Sequence, residues 1–491
     1  MKNRSVGIRI LLLCLTLTLL LATFAGCDNG KEEPVETKDT PQNESPLLTD
    51  ENGLLADALP DNLNFNRELT ILACQQQSYH FYTEEKGEDV IANVIYDRNE
   101  MVKERLGIDI NWVFEPGTFN ERTTFITKVE EQSKSGSAYD AVICYNLLPY
   151  AMAMKGLCAN LNDTKYINLT APWWPSAYIK TGVYENQIFG LVESCSFGTL
   201  ERMIATFFNT ELVEDKQLDH PYDLVEKNEW TFDKLSSMVK DTWEDKNNDG
   251  KKSQQDFFGL VAGGTSPMLD CWFFALGNRY SEVNGDGDLV LLLGDPAVND
   301  FFEKVNTAFA TNDILLYDQT GHTKTFVEER AIFYNTIVGM TSVLKDTDLP
   351  YGIVPTPKAN AADEYYTHLG NTHDAWMIPK DAKSVEESSA LLECMASESY
   401  RQTNPVYFEK MLKLRYAQDE RIAAMYDLVR ESIGFDFCYL YSVAFTTATR
   451  PNALINSCLT NPVKYTWTSV WESNKTSVES QFQSIINAYF N

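Results

Sequence analysis

Glu68-Leu-Thr-Ile-Leu-Ala-Cys74 opens a stretch that continues through Ile108-Asp-Ile-Asn-Trp-Val-Phe114 to Tyr139-Asp-Ala-Val-Ile-Cys-Tyr145. Its three short runs, two mostly apolar and one alternating, read as strands. Between the first two, residues 88–106 place Val90, Ile91, Val94, Ile95, Met101, Val102 and Leu106 near helical spacing, and Gly107 stops the helix. A second helix is expected over 119–134. Strand, helix, strand, helix, strand predicts an α/β lobe with a largely parallel sheet. Ligands in such sheets bind beyond the carboxyl ends of strands. That rule points to Gln75, Gln77 and Tyr79 after the first strand, and to Tyr145 and Asn146 after the third.

N-terminal to this stretch the chain carries an address. Lys2, Arg4 and Arg9 precede a short apolar run, Ile10 to Ala22, and Ala25-Gly26 lead into Cys27. That is the layout of a secretory signal peptide, residues 1–26, and its apolar core is short for a membrane span. The small residues before Cys27 resemble a bacterial lipobox, which implies lipidation of Cys27. Phe24 departs from the usual Leu. Residues 27–64, rich in Asp, Glu, Asn, Pro, Lys and Thr, read as a disordered tether. The expectation is an extracytoplasmic body anchored to the cell membrane by a lipid.

Beyond the tether, about 65–491 exceeds the size at which one core stops growing, so two lobes are expected. The net charge of −29 becomes more negative once the three leader cations are removed. Nucleic acid is excluded as a partner, since phosphate contacts need clustered Lys and Arg. A strongly anionic ligand is disfavoured unless a local basic pocket exists. Cys74, Cys144, Cys158, Cys195, Cys271, Cys394, Cys438 and Cys458 stand singly, with no metal-like spacing. Buried thiols are expected, with one or two disulfides as the alternative.

Further along, Met203 to Phe208 reads as a strand and 210–216 as a helix; Thr231 reads as an N-cap, and Asn299 to Phe309 as a one-faced helix. Arg330 to Tyr334 and Tyr351 to Pro355 are short strands. Ser384 and Glu387 form a capping box for a helix to Met395. Residues 415–491 look mostly helical.

This ordered series resembles the extracellular solute-binding proteins of carbohydrate ABC importers, the maltose-binding-like group (family 1 type). Tyr139-Asp140 with its apolar run, Phe207-Phe208-Asn209-Thr-Glu-Leu, Glu229-Trp230-Thr231-Phe232-Asp233, Phe326-Val-Glu-Glu-Arg-Ala331 and Tyr351-Gly352-Ile-Val-Pro-Thr-Pro357 carry the likeness. Glu-Arg replaces the usual Gly or Lys in the fourth. The resemblance implies an α/β, two-lobe periplasmic-binding-protein-like fold of type II, the lobes joined by multiple hinge crossings near 191–193, 331 and 400. Lobe 1 would be 65–191 plus 331–400, and lobe 2 would be 192–330 plus 401–491 with a helical tail. It further implies capture of a sugar or oligosaccharide in the inter-lobe cleft, delivery to ABC permease transmembrane subunits, and a monomer.

A sugar offers an apolar face to aromatic rings and a rim of hydroxyls to polar groups. Trp173 and Trp174, between two prolines, either line the cleft or pack the lobe surface. Glu193, Tyr334, Asn371, His373, Asp374, Trp376 and Tyr439 complete the candidate set. His373-Asp374 either orients a ligand hydroxyl or is a plain surface pair.

Asp245, Asn247, Asp249, Gly250, Lys251 (through its carbonyl), Ser253 and Asp256 fit the twelve-residue calcium loop at positions 1, 3, 5, 6, 7, 9 and 12. Asp256 replaces the usual bidentate Glu, and an exiting helix is lacking. A structural calcium site and a metal-free polar hairpin both satisfy this pattern. Asn284-Gly-Asp286-Gly-Asp288 instead reads as a tight turn into a strand. No GxSxG, HExxH or Walker loop is present. A non-enzyme is expected; a sensor or adhesin on the same fold and a glycoside hydrolase are the alternatives.

Overall fold

The computed structural model describes residues 49–50, 53–136, 138–192, 195–311, 314–317, 321–371, 373–416 and 420–489. The leader, Cys27 and the tether to residue 48 lie outside them.

The first strand, β1 (Arg67–Cys74), pairs in parallel with β2 (Ile108–Glu115) and with β3 (Ala141–Tyr145). β3 is buried along its whole length, as a central strand covered on both faces must be. Val90–Leu106 makes the crossover helix. Asp89 caps it by accepting from the amides of Ile91 and Ala92 at 2.8 and 3.0 Å. Gly107 ends it at φ +59, and a Cβ there would lie 2.2 Å from Asn64 Oδ1. Two later strands complete the sheet in the order β2-β1-β3-β12-β4. They are β4 (Leu191–Val192) and β12 (Asp374–Met377), the latter antiparallel to both neighbours.

The second sheet runs β11-β5-β10-β6-β9. Its strands are β5 (Ile204–Asn209), β6 (Phe258–Gly263), β9 (Ile314–Tyr317), β10 (Ala331–Ile337) and β11 (Tyr351–Pro355). β10 lies parallel to β6 and antiparallel to β5, and β11 is antiparallel to β5. The chain therefore returns to the first sheet between Pro355 and Asp374, not near Ala331 as expected. Local pattern marks 331–337 as a strand, but only long-range pairing decides which sheet takes it. A small hairpin, β7 (Ser281–Val283) with β8 (Leu289–Leu291), closes on Asn284, whose Oδ1 accepts from the amides of Asp286 and Asp288.

Three passages between the sheets are bonded to one another. Ile204 N donates to His368 O at 2.9 Å and Gly370 N to Arg202 O at 2.7 Å; Thr367 N donates to Ser432 O at 2.8 Å. This is the α/β, two-lobe arrangement of the type II periplasmic binding proteins.

Two boundaries differ from expectation. The end of the tether lies on the first lobe: Leu59 is in the core, and Asp57 accepts from both Arg105 Nη1 and Nη2 at 2.9 and 2.8 Å. A few leucines and one acid with distant arginine partners suffice to hold a stretch whose composition reads as linker. The tail, expected wholly in lobe 2, is shared. Tyr441 packs on Tyr150 of the first lobe with ring centroids 4.9 Å apart, and Phe435 on Tyr178 at 5.0 Å. The helix Pro451–Thr460 packs instead on Ser266–Ala275 beside β6. All eight described cysteines are buried free thiols. No described helix is long and apolar enough to cross a membrane.

Candidate functional site

Beyond the carboxyl end of β1 the chain makes two turns of 3-10 helix, Gln75–His80. Gln75 is exposed and Gln77 buried. Tyr79 is half-exposed; its hydroxyl donates to Glu201 at 3.0 Å and accepts from Arg202 Nη2 at 3.3 Å. The next residue, His80, was not singled out from sequence and proves central. Its Nδ1 lies 2.8 Å from Asp374 Oδ2 and its Nε2 2.7 Å from Glu201 Oε2. Burial alone would lower its pKa, but the charges and hydrogen bonds of Asp374 and Glu201 outweigh it and push it up to about 9. Ser196 Oγ adds a bond to Asp374 at 2.7 Å. A Cβ on Gly198 would sit 2.6 Å from both Asp374 Oδ2 and His80 Nδ1, so only glycine fits there. Glu201 and Ser196 belong to the first passage between the sheets, and Asp374 begins β12 where the second passage ends. His80 thus joins both passages to the first lobe.

Beside this staple lies a buried belt of polar and aromatic side chains. Tyr145 and Asn146 follow β3; the Tyr145 hydroxyl and Asn146 Oδ1 have no hydrogen-bond partner among the described residues. Asn146 N donates to His373 O at 3.2 Å. Tyr439 donates to Asn371 Oδ1 at 2.8 Å and meets the His368 ring edge-on at 4.8 Å. His373 is buried, contrary to a surface pair; burial lowers its pKa to about 4, against the opposing pull of the Gly370 carbonyl and Asp374. It is neutral at physiological pH. Next to Tyr145, Phe119 meets it edge-on at 6.3 Å and carries Arg122 and Arg450 over its ring. Phe119 and Arg122 follow β2, so the carboxyl-end rule, applied above only to the first and third strands, also reaches them.

Other candidates do not join this belt. Trp173 and Trp174 are buried on the flank of the first lobe. Trp174 Nε1 donates to Glu393 Oε2 at 3.1 Å, and Trp173 meets Tyr400 at 6.1 Å. Two indoles next to the helix Val385–Arg401 bury more apolar area there than in an open loop. Trp376 is fully buried in the sheet, opposite Ile143 and Leu191. Tyr334 lies within β10, its ring 5.6 Å from Phe326. Glu193 lies outside the described residues.

The Asp245–Asp256 loop is closed by its own amides. Asp245 accepts from Asp249 N and Gly250 N at 3.2 and 2.8 Å; buried Asp256 accepts from Lys246 N and Ser253 N at 3.1 and 2.8 Å. Asn247 and Asp249 cap the amides two residues on, at 3.0 and 2.8 Å. Among the described residues no group of three or more His, Cys, Asp and Glu side chains is gathered as for a metal.

Among solved structures, the chain is similar to a cyclo/maltodextrin-binding protein complexed with maltotetraose, with 14% identity, 85% of this chain and 97% of the other covered, and TM-score 0.57. It is similar to the cyclic alpha-maltosyl-1,6-maltose binding protein from Arthrobacter globiformis, with 13% identity, 84% and 98% covered, and TM-score 0.56. A third is an ABC substrate-binding protein from Listeria monocytogenes in complex with cycloalternan, with 14% identity, 85% and 99% covered, and TM-score 0.54. At such identity the likeness is one of fold. No protein-family model and no curated protein matches the chain.

Proposed function

We propose that this protein is the substrate-binding component of an ABC importer, capturing a sugar or oligosaccharide between its lobes and delivering it to the permease. The observation that carries this reading is the buried belt at the joint of the two sheets. There Tyr145 and Asn146 present polar atoms without partners among the described residues, next to the rings of Tyr439 and Phe119. Buried polar atoms are ordinarily bonded, so such a set fits a guest that supplies hydroxyls and an apolar face. The likeness to sugar-binding importer components supports the same reading. A lipid on Cys27 would keep the monomeric body at the outer face of the cell membrane, within reach of the permease.

The Asp245–Asp256 loop is proposed to take a structural calcium ion. Asp245, Asn247, Asp249, Asp256 and the Lys251 carbonyl supply the oxygens, with Ser253 reaching the ion directly or through water.

A thermal-shift screen of the mature chain against neutral and acidic saccharides, with calcium or with chelator, tests both. Binding to the native state alone must raise the melting temperature. A saccharide should raise it and be recovered intact; a panel without effect removes the sugar reading, and cleaved products point to an enzyme. Calcium should add its own increment, lost in Asp245→Ala; equal melting with calcium and chelator removes the ion.

A further inference from the structure

Phe119 carries a guanidinium on each of two approaches. Arg122 Cζ lies 4.0 Å from its ring centroid and Arg450 Cζ 5.1 Å. Arg122 opens the first-lobe helix Arg122–Ser135, and Arg450 precedes Pro451–Thr460, the helix packed on Ser266–Ala275 of the second lobe. The two cations therefore converge from opposite lobes. Their hydrogen bonds go to neutral carbonyls, Arg122 to Phe119 O and Arg450 Nε to Ser442 O at 3.0 Å. Neither forms an ion pair with a carboxylate among the described residues. Yet Arg450 is only 6% exposed. A buried guanidinium without an anion is costly, and buried charges are ordinarily paired.

Four further facts mark the same spot. The Tyr145 hydroxyl, fully buried and without a partner among the described residues, lies in the field of both arginines, which oppose the upward push of burial on its pKa. Burial and the like charge of Arg122 together pull Arg450 below the usual arginine range. The acid within reach of Tyr145, Asp270, is driven well above the ordinary carboxylate range by burial. Asp270 accepts from the Tyr280 hydroxyl at 2.7 Å and forms an ion pair with neither arginine among the described residues. Arg450 also stands at the start of a ten-residue helix, whose N-terminal partial charge has the same sign.

On a chain of net charge −29, this is a cationic spot with no anion paired to it among the described residues. Resting on the sugar-capture reading above, we infer that the ligand is an acidic saccharide whose anionic group binds between Arg122 and Arg450 and bonds to the Tyr145 hydroxyl. Guanidinium forks match carboxylate and sulfate oxygens two at a time. Such a group would also draw the lobes together, since each contributes one arginine.

The test is isothermal titration of the mature chain with matched disaccharides of the galacto, gluco and manno series, each as the uronate, the 6-sulfate and the neutral sugar. In the series that binds, a charged member should bind at least about tenfold tighter than its neutral counterpart. Arg122→Met, at a partly exposed position, should remove that preference and bring the charged and neutral members of the series to within about threefold of each other. Arg450→Met should do the same, with circular dichroism confirming the fold. A preference for the uronate or for the sulfate says which anion is used. Neutral sugars binding as well as charged ones, or a preference that survives Arg122→Met, overturns the inference and leaves sugar capture standing. Silence from every saccharide overturns both.

Discussion

His80 sits between two acids that are 294 and 121 residues away along the chain. Nothing in the local sequence marks it, because its meaning lies in those partners; Tyr79, its neighbour, was legible only through the strand-end rule. The same holds for Arg450, whose role depends on Phe119 far upstream. The staple has a pH signature. Against its ordinary 6.5, a folded pKa of about 9 means the imidazolium stabilises fully below pH 6.5, and that stabilisation is lost as pH rises through 9. The difference corresponds to about 3 kcal/mol. Urea unfolding at pH 6 and pH 9.5 should therefore show a larger loss for the native chain than for His80→Gln. The comparison cancels buried thiols and Glu393, whose carboxyl burial raises to about 8. Equal losses in the two proteins would remove His80 from the account.

At the scale of elements, periodicity and capping were read well where they act locally. The strands at 67–74, 108–115 and 141–145 fall within a residue or two of their expected bounds. Thr231 caps its helix through Lys234 N at 3.3 Å, and Ser384 caps through Glu387 N at 3.2 Å. The misreading was the segment before β1. Asp57 is buried between Arg105 and Arg401, and Leu59 reaches the core, so this lead-in is part of the lobe. Asp57→Asn should cost about 3 kcal/mol, the lower end for a broken buried pair, because Glu398 still pairs with both arginines. A chain beginning at residue 65 should likewise melt below one beginning at residue 53. Identical melting of the two would return the segment to the tether.

For the whole molecule, the two-lobe class followed from body length and from the order of strands and helices, but the routing of the chain did not. Residues 331–337 could join either sheet until pairing with β5 and β6 was known. The three passages bonded to one another near Arg202, Thr367 and Ser432 form a joint about which the lobes can turn. A ligand touching both lobes must favour their approach. Small-angle scattering should accordingly give a smaller radius of gyration at saturating ligand. Unchanged scattering on demonstrated binding would place the ligand on one lobe alone.

Eight sealed sulfurs without a single cross-link also govern how this chain survives outside its folded form. Among the described residues there is no covalent record of the native arrangement, so recovery of this body from denaturation depends on burial. In an oxidant, each moment spent open lets any two sulfurs join wrongly. Swift collapse of the core is then the chain's protection against scrambling, and a reductant in the refolding buffer becomes its substitute.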